Sequence, residues 1–196
     1  MAATVTLDYP IEIRWHGRGG QGAVTAAKLL AETALELGRQ VQSFPQFGSE
    51  RRGAPIAAYT RIDEKPITLY NTIEEPNVVI VLDPSLAGFL PVTRGLRADG
   101  LLIINSPESP DAVRRALRWE SGTVSTVPAT RIAVEHLGRP VTNTAMLGAF
   151  FAATDLLPLE KVTGVVRATF TGHYPEAVVE GNLRAMRDAF QKTLLG

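Results

Sequence analysis

Two short stretches of this chain combine residue types and spacings that suit chemistry. The first is Gly17-Arg18-Gly19-Gly20-Gln21-Gly22. A glycine cluster of this kind aims backbone N–H groups, and the positive end of a following helix, at an anion; phosphate or pyrophosphate is the usual guest. The competing reading is that the glycines only let a strand and a helix pack closely. The second stretch is Glu50-Arg51-Arg52-Gly53, an acid and two guanidinium groups beside a glycine. Arginine makes fork-shaped contacts with phosphate or carboxylate. A contact with a neighbouring subunit, or plain solvation, suits Arg51 and Arg52 as well.

Other chemistries are poorly served. Gly17, Gly19 and Gly22 satisfy G-x-G-x-x-G, but a dinucleotide fold also wants an acid ending its second strand, on the ribose hydroxyls. Here Gln40-Val41-Gln42-Ser43-Phe44 runs into Pro45 with no acid. A P-loop needs Lys-Ser/Thr where this chain has Ala23-Val24, and NTP hydrolysis without that lysine loses its main phosphate clamp. His16, His136 and His173 have no partner at metal-ligand spacing. His16 borders the glycine segment, where it either touches a ligand or ends a strand as a buried, hydrogen-bonded group. There is no nucleophile elbow and no H-E-x-x-H. The chain reads as an anion-binding domain with no catalytic residue and no metal ligand of its own.

Composition bounds the class. The 196 residues suit a single domain, 1–196, long enough for a real core. Lys+Arg equals Asp+Glu, so no global field points to nucleic acid or a membrane. The absence of cysteine excludes disulfides and any iron–sulfur cluster ligated by this chain, and fits a reducing, cytoplasmic setting. No apolar run approaches the roughly 18 residues of a spanning helix, and the N-terminus lacks a basic-then-apolar signal pattern.

Strand-like and helix-like segments must position the two stretches. Alternation predicts a strand over Ile11–His16, and helical spacing predicts a helix over Ala23–Leu37. Further strands are predicted at Val41–Phe44, Ile56–Ile62, Val78–Leu82, Leu101–Ile104 and Thr123–Val127. The runs at Val78 and Leu101 are apolar throughout, as in strands buried on both faces. Helices are predicted at Ala112–Arg118, Thr130–Leu137, Thr144–Thr154 (with Asn143 as N-cap), Leu159–Thr169 and Glu176–Leu194. The interleaving implies an α/β fold, a three-layer α/β/α sandwich around a largely parallel, possibly mixed, sheet. Open α/β sheets place ligands at the carboxyl ends of their strands. Three loops should gather there: Gly17–Gly22, Pro45–Pro55 and the turn Asp83-Pro84-Ser85. Met146, Leu147, Phe150 and Phe151 form an apolar cluster on one predicted helix, suited to core or to a subunit interface.

The glycine segment with Ala23-Val24-Thr25-Ala26-Ala27 resembles a signature of the gamma subunit (domain III) of the 2-oxoacid:ferredoxin oxidoreductases. So do Phe44-Pro45-Gln46-Phe47-Gly48-Ser49-Glu50-Arg51-Arg52-Gly53-Ala54-Pro55 and Asn143-Thr144-Ala145-Met146-Leu147-Gly148-Ala149. The three occur in the family's order and the resemblance spans essentially the whole chain. The Glu-Arg-Arg-Gly-Ala-Pro form resembles the pyruvate-type branch (pyruvate synthase), with Ser49 where proline is more usual. The resemblance implies a subunit of a multi-chain enzyme that converts a 2-oxoacid, coenzyme A and oxidised ferredoxin to acyl-CoA, CO2 and reduced ferredoxin. It implies thiamine diphosphate with its Mg ion on alpha/beta-type sister subunits, where it supplies the nucleophile for decarboxylation. It also implies iron–sulfur clusters on a ferredoxin-like delta subunit. For this chain it implies contacts with coenzyme A from Gly17, Arg18, Gly19, Gly20, Gln21, Gly22, Thr25, Arg51, Arg52 and Asn143. Two other readings stay open from the residues: a stand-alone NAD(P)-binding reductase, and a purely scaffolding subunit.

Overall fold

The computed structural model describes residues 4–46 and 53–196. Its strands are β1 (Ile11–Arg18), β2 (Gln40–Gln46), β3 (Pro55–Asp63), β4 (Val78–Val81), β5 (Leu101–Asn105), β6 (Thr123–Val127) and β7 (Leu194–Leu195). The helices are α1 (Ala23–Glu36), α2 (Pro110–Leu117), α3 (Ala129–Leu137), α4 (Asn143–Ala153), α5 (Leu159–Phe170) and α6 (Glu176–Lys192). A short 3-10 helix spans Pro84–Gly88.

The strands form one sheet in the order β2-β3-β1-β4-β5-β6-β7. Its centre, β1-β4-β5-β6, is parallel. β2 and β3 form an antiparallel hairpin on one side, with β3 antiparallel to β1, and β7 pairs antiparallel with β6 at the far edge. The sheet is therefore mixed. The reason lies in loop length: Gln46 to Pro55 is shorter than the dozen or more residues a parallel crossover needs.

Two apolar cores flank the sheet. On one face Ile11, Ile13 and Trp15 of β1 alternate inward against α1, and the same core continues under α3, α4, α5 and α6. On the other, Val79, Val81, Leu102 and Ile104 are covered by Leu86, Val92, Leu96 and Val113. β4 and β5 are buried along their whole length, as their continuous apolar runs predict. A buried polar chain fixes α1 on the sheet: Trp15 Nε1 donates to Thr60 Oγ1 at 3.0 Å, and Thr60 Oγ1 donates to the Ala27 carbonyl at 3.2 Å.

α4 is apolar on every side and nearly wholly buried. Met146, Leu147, Phe150 and Phe151 all lie in the core, so this cluster is not an exposed interface. Gly148 permits the close approach of α4 and α6; a Cβ there would stand 2.1 Å from the Met186 carbonyl oxygen.

Three of the boundaries that differ from expectation have a clear physical cause. α2 begins at Pro110 because the Ser109 hydroxyl accepts from the Ala112 N–H, an N-cap followed by proline at the first helical position. α6 stops at Lys192, and Leu194–Leu195 leave the helix to pair with β6. Asn143 is the first residue of α4 rather than its cap. Thr142 already has helical dihedrals, and its carbonyl accepts from the Met146 N–H.

Candidate functional site: a glycine turn between two clefts

Gly17 and Arg18 belong to β1, paired with Ile56 and Pro55, so the turn proper is only Gly19-Gly20-Gln21 with Gly22 capping α1. Gly22 has φ +83°, in the left-handed region, and a Cβ on it would meet the Asn143 side chain at 2.8–3.0 Å. Glycine is required there twice over, by backbone strain and by space.

The glycine turn, the described end of the hairpin loop at Gly53-Ala54 and the turn at Asp83 meet at the carboxyl end of β1. Gly19 N–H donates to the Ala54 carbonyl at 3.0 Å, and Gly53 N–H to the Gly19 carbonyl at 3.3 Å, joining the glycine turn to the end of the hairpin loop. Arg51 and Arg52 lie outside the described residues. On the other side, Asp83 follows β4 and Leu82 directly and binds the turn through both oxygens. Its Oδ2 accepts from Arg18 Nε and from Gln21 Nε2, each at 2.9 Å. Its Oδ1 accepts from the Ser85 N–H and hydroxyl at 3.0 and 2.6 Å. Burial opposes ionisation of Asp83, but the hydrogen bonds from Ser85 and Gln21 and the charge of Arg18 outweigh it, holding the carboxyl below its ordinary value.

Arg18 is correspondingly engaged. Besides Asp83 it donates to the Ser85 hydroxyl and the Gly53 carbonyl, and its guanidinium lies 5.4 Å from the Phe89 ring centroid. Gln21 also closes the turn itself: its Oε1 accepts from the Arg18 N–H at 2.7 Å. Arg18 and Gln21 therefore brace the loops rather than stand free.

The turn separates two clefts that share Gly20 and Val141. One, of about 510 Å³, lies over the strand ends, between Gly19, Gly20, Gln21, Asp83, Asn105 and Thr130. Asn105 holds its floor, donating to the Leu82 carbonyl and the Thr130 hydroxyl and accepting from the Thr130 N–H at the start of α3. The other, of about 240 Å³, lies between the first turns of α1 and α4 and is lined by Gly20, Gly22, Thr25, Arg139, Asn143 and Asn182. Neither α1 nor α4 has a capping side chain or an acid in its first turn. Asn143 is only 6 % exposed; its Oδ1 accepts from the Thr144 N–H, while its Nδ2 donates to nothing among the described residues.

Of the expected set, Gly20, Gly22, Thr25 and Asn143 meet at this second cleft, and Gly19, Gly20 and Gln21 at the first. The bracing role of Asp83 and the presence of Arg139, Tyr174 and Asn182 were not read from the sequence. Asp83 was findable as the first polar residue after a strand buried on both faces. Arg139 stands shortly before the Asn143 motif but carries no local pattern.

His16 lines neither cleft. Burial first, and the positive charge of Arg14 second, push its pKa down to about 4, and its Nε2 accepts from Arg14 Nε at 3.1 Å. It is the neutral, hydrogen-bonded histidine of the second expectation. His136, without a metal-ligand neighbour at sequence spacing, has them in space: its Nε2 is 3.1 Å from Asp188 Oδ2, with Glu135 close by. Lys192 donates to the same Asp188 oxygen at 2.8 Å, so that carboxylate braces α3 against α6. Among the described residues, no helix is long and apolar enough to cross a membrane.

Residues 12–192 match the family described as pyruvate ferredoxin/flavodoxin oxidoreductase. The chain is 52% identical over 183 residues to the pyruvate/ketoisovalerate oxidoreductases common subunit gamma of Pyrococcus abyssi, covering 93% of this chain and 97% of the relative. Among solved structures it superposes with TM-score 0.84 on the pyruvate oxidoreductase subunit PORC of Thermotoga maritima, at 37% identity over 96% of this chain and 99% of that one. It shares its fold with part of the 2-oxoglutarate:ferredoxin oxidoreductase of Magnetococcus marinus, whose structure contains 2-oxoglutarate, coenzyme A and succinyl-CoA. That match has TM-score 0.75 at 19% identity and covers 93% of this chain and 31% of the longer one.

Proposed function

This chain belongs to the pyruvate ferredoxin/flavodoxin oxidoreductase family, as a gamma subunit, and from that premise we propose that its glycine turn holds coenzyme A for the complex. The observation that carries the reading is the convergence of the three loops on a turn that opens onto an uncapped helix N-terminus. Such a terminus attracts anions through its free N–H groups and its dipole. Coenzyme A carries a pyrophosphate and a 3′-phosphate. The residues present fit this group: the lining offers the Thr25 hydroxyl, the Asn143 amide and Arg139, and Gly22 leaves the backbone bare.

In this reading the chain binds and orients the acyl acceptor, and sister subunits do the remaining chemistry. Thiamine diphosphate with Mg, on alpha/beta-type subunits, supplies the nucleophile for decarboxylation of the 2-oxoacid, pyruvate being favoured. A ferredoxin-like delta subunit carries the iron–sulfur clusters that pass electrons to ferredoxin. The role of this chain is positional: it brings the coenzyme to that site and closes the interface around it. Because α4 is core, contacts with partners fall to other residues, and Leu69, Tyr70 and Phe89 are among the large hydrophobic side chains left exposed.

Arg51 and Arg52 supply the test. A guanidinium–phosphate contact is worth about 1.5–3 kcal/mol. In the reconstituted complex, Arg51→Ala or Arg52→Ala should raise the KM for coenzyme A about ten- to a hundredfold and leave the KM for the 2-oxoacid unmoved. An unchanged coenzyme A dependence in both, with weakened assembly, would make these arginines interface residues and refute their role as ligand contacts.

A further inference from the structure

We infer that the half of the sheet built from β2, β3 and β1 turns its helix-free face to a sister subunit of the complex, which sets a carboxylate against Arg14. The inference rests on the place of this chain in a multi-subunit enzyme and not on where coenzyme A binds.

The sheet is covered unequally. On the face away from α1, Leu86, Val92, Leu96 and Val113 pack on β4, β5 and β6, and no residue of β1, β2 or β3 joins that core. β4 and β5 are therefore buried on both faces, whereas Glu12, Arg14, His16 and Arg18, the alternate residues of β1, are only partly buried. In register, Phe44 of β2 lies opposite Tyr59 of β3, and Tyr59 opposite Arg14. The Phe44 and Tyr59 rings stack with centroids 5.2 Å apart. Large apolar side chains rim this face at both ends. Arg61, itself buried, donates to the Leu69 carbonyl at 3.1 Å and so holds Leu69 and Tyr70 beside it. Phe89 stands at the other end, against Arg18. Leu69, Tyr70 and Phe89 are 58, 86 and 57% exposed. Aromatic side chains grouped around an arginine are the composition of an interface centre.

Charge names the occupant. Glu12 is taken by Arg61 at 2.8 Å and Arg97 at 3.9 Å, and Asp83 by Arg18 at 2.9 Å. Arg14 meets no carboxylate among the described residues. It donates to His16 Nε2 and to the Val92 and Arg94 carbonyls, which fix the guanidinium without cancelling its charge. A partner that seals this face from water must bring the missing carboxylate, because a buried charge without a counter-charge is costly. A second copy of this chain does not supply one. In a two-fold interface a patch meets itself, and the carboxylates of this patch, Glu12 and Asp83, are already paired.

The test is association, read without turnover, by calorimetric titration of the full chain into the remaining purified subunits of the complex. Leu69→Asp and Tyr70→Asp alter exposed side chains, so the free chain should keep its melting temperature while its Kd for those subunits rises at least about tenfold. Leu35→Asp, exposed on α1 across the sheet, should leave that Kd unmoved. Arg14→Gln keeps N–H donors but removes the charge; it should raise the Kd about ten- to a hundredfold and flatten its dependence on salt. A Kd unmoved in both Leu69→Asp and Tyr70→Asp, or the full salt dependence retained in Arg14→Gln, overturns the inference. So does self-association of the free chain, seen by sedimentation, that Tyr70→Asp abolishes while association with the other subunits stays intact, since the face would then join two copies.

Discussion

His16 should make the stability of this protein depend on pH in a window where few other groups titrate. Its pKa in the folded chain is held near 4, against an ordinary 6.5, by burial and by Arg14. Between these values the unfolded chain binds a proton that the folded chain refuses. The group's contribution is therefore complete above pH 6.5 and shrinks as pH falls, by up to about 1.36 kcal/mol per unit. From pH 7.5 to 4.5 the loss amounts to about 2.5 kcal/mol. His16→Gln retains an acceptor for the Arg14 N–H and has no proton to gain. Urea unfolding of both proteins at the two pH values isolates the effect, since the carboxylates common to both cancel. The wild type should lose about 2.5 kcal/mol more than the variant. Parallel losses in the two would refute the assignment of His16 as a buried neutral acceptor.

Two further outcomes follow from the bracing of the turn. Gly22→Val places a branched side chain at φ +83° and against Asn143; the backbone alone costs about 1–2 kcal/mol, so the melting temperature should fall by several degrees and assembly should weaken. Wild-type stability and assembly would show that the turn and Asn143 move apart freely. Asp83→Ala removes the acceptor shared by Arg18, Gln21 and Ser85, and should cost about 2–3 kcal/mol in chemical denaturation while speeding amide exchange of Gln21, whose N–H donates to the Arg18 carbonyl. Unchanged exchange there would mean that the turn stands without its carboxylate.

Local pattern alone determined most of the elements. Apolar alternation placed β1, continuous apolar runs placed β4 and β5, and helical spacing placed α1 and α3–α6, because period and burial are written into neighbouring residues. The glycine cluster between a strand and a helix is legible for the same reason. Strand direction was not, since a strand reads alike whichever way it pairs; the short connection before Pro55 decides that β2 and β3 form a hairpin. β7 is not legible locally, because two residues are too few to show a period. Which neighbours each candidate site residue meets depends on packing. Nothing local to Arg18 shows that it pairs with Asp83, 65 residues on. Asn143 has a cap's residue type, but Thr142 already has helical dihedrals and accepts from the Met146 N–H, so Asn143 falls inside α4. Arg139 carried no motif at all and acquires meaning only because α4 brings its own first turn against Gly22. Charge pairing and the space between two helix ends are properties of residues distant in the chain, and they exist only once the core has brought those residues together.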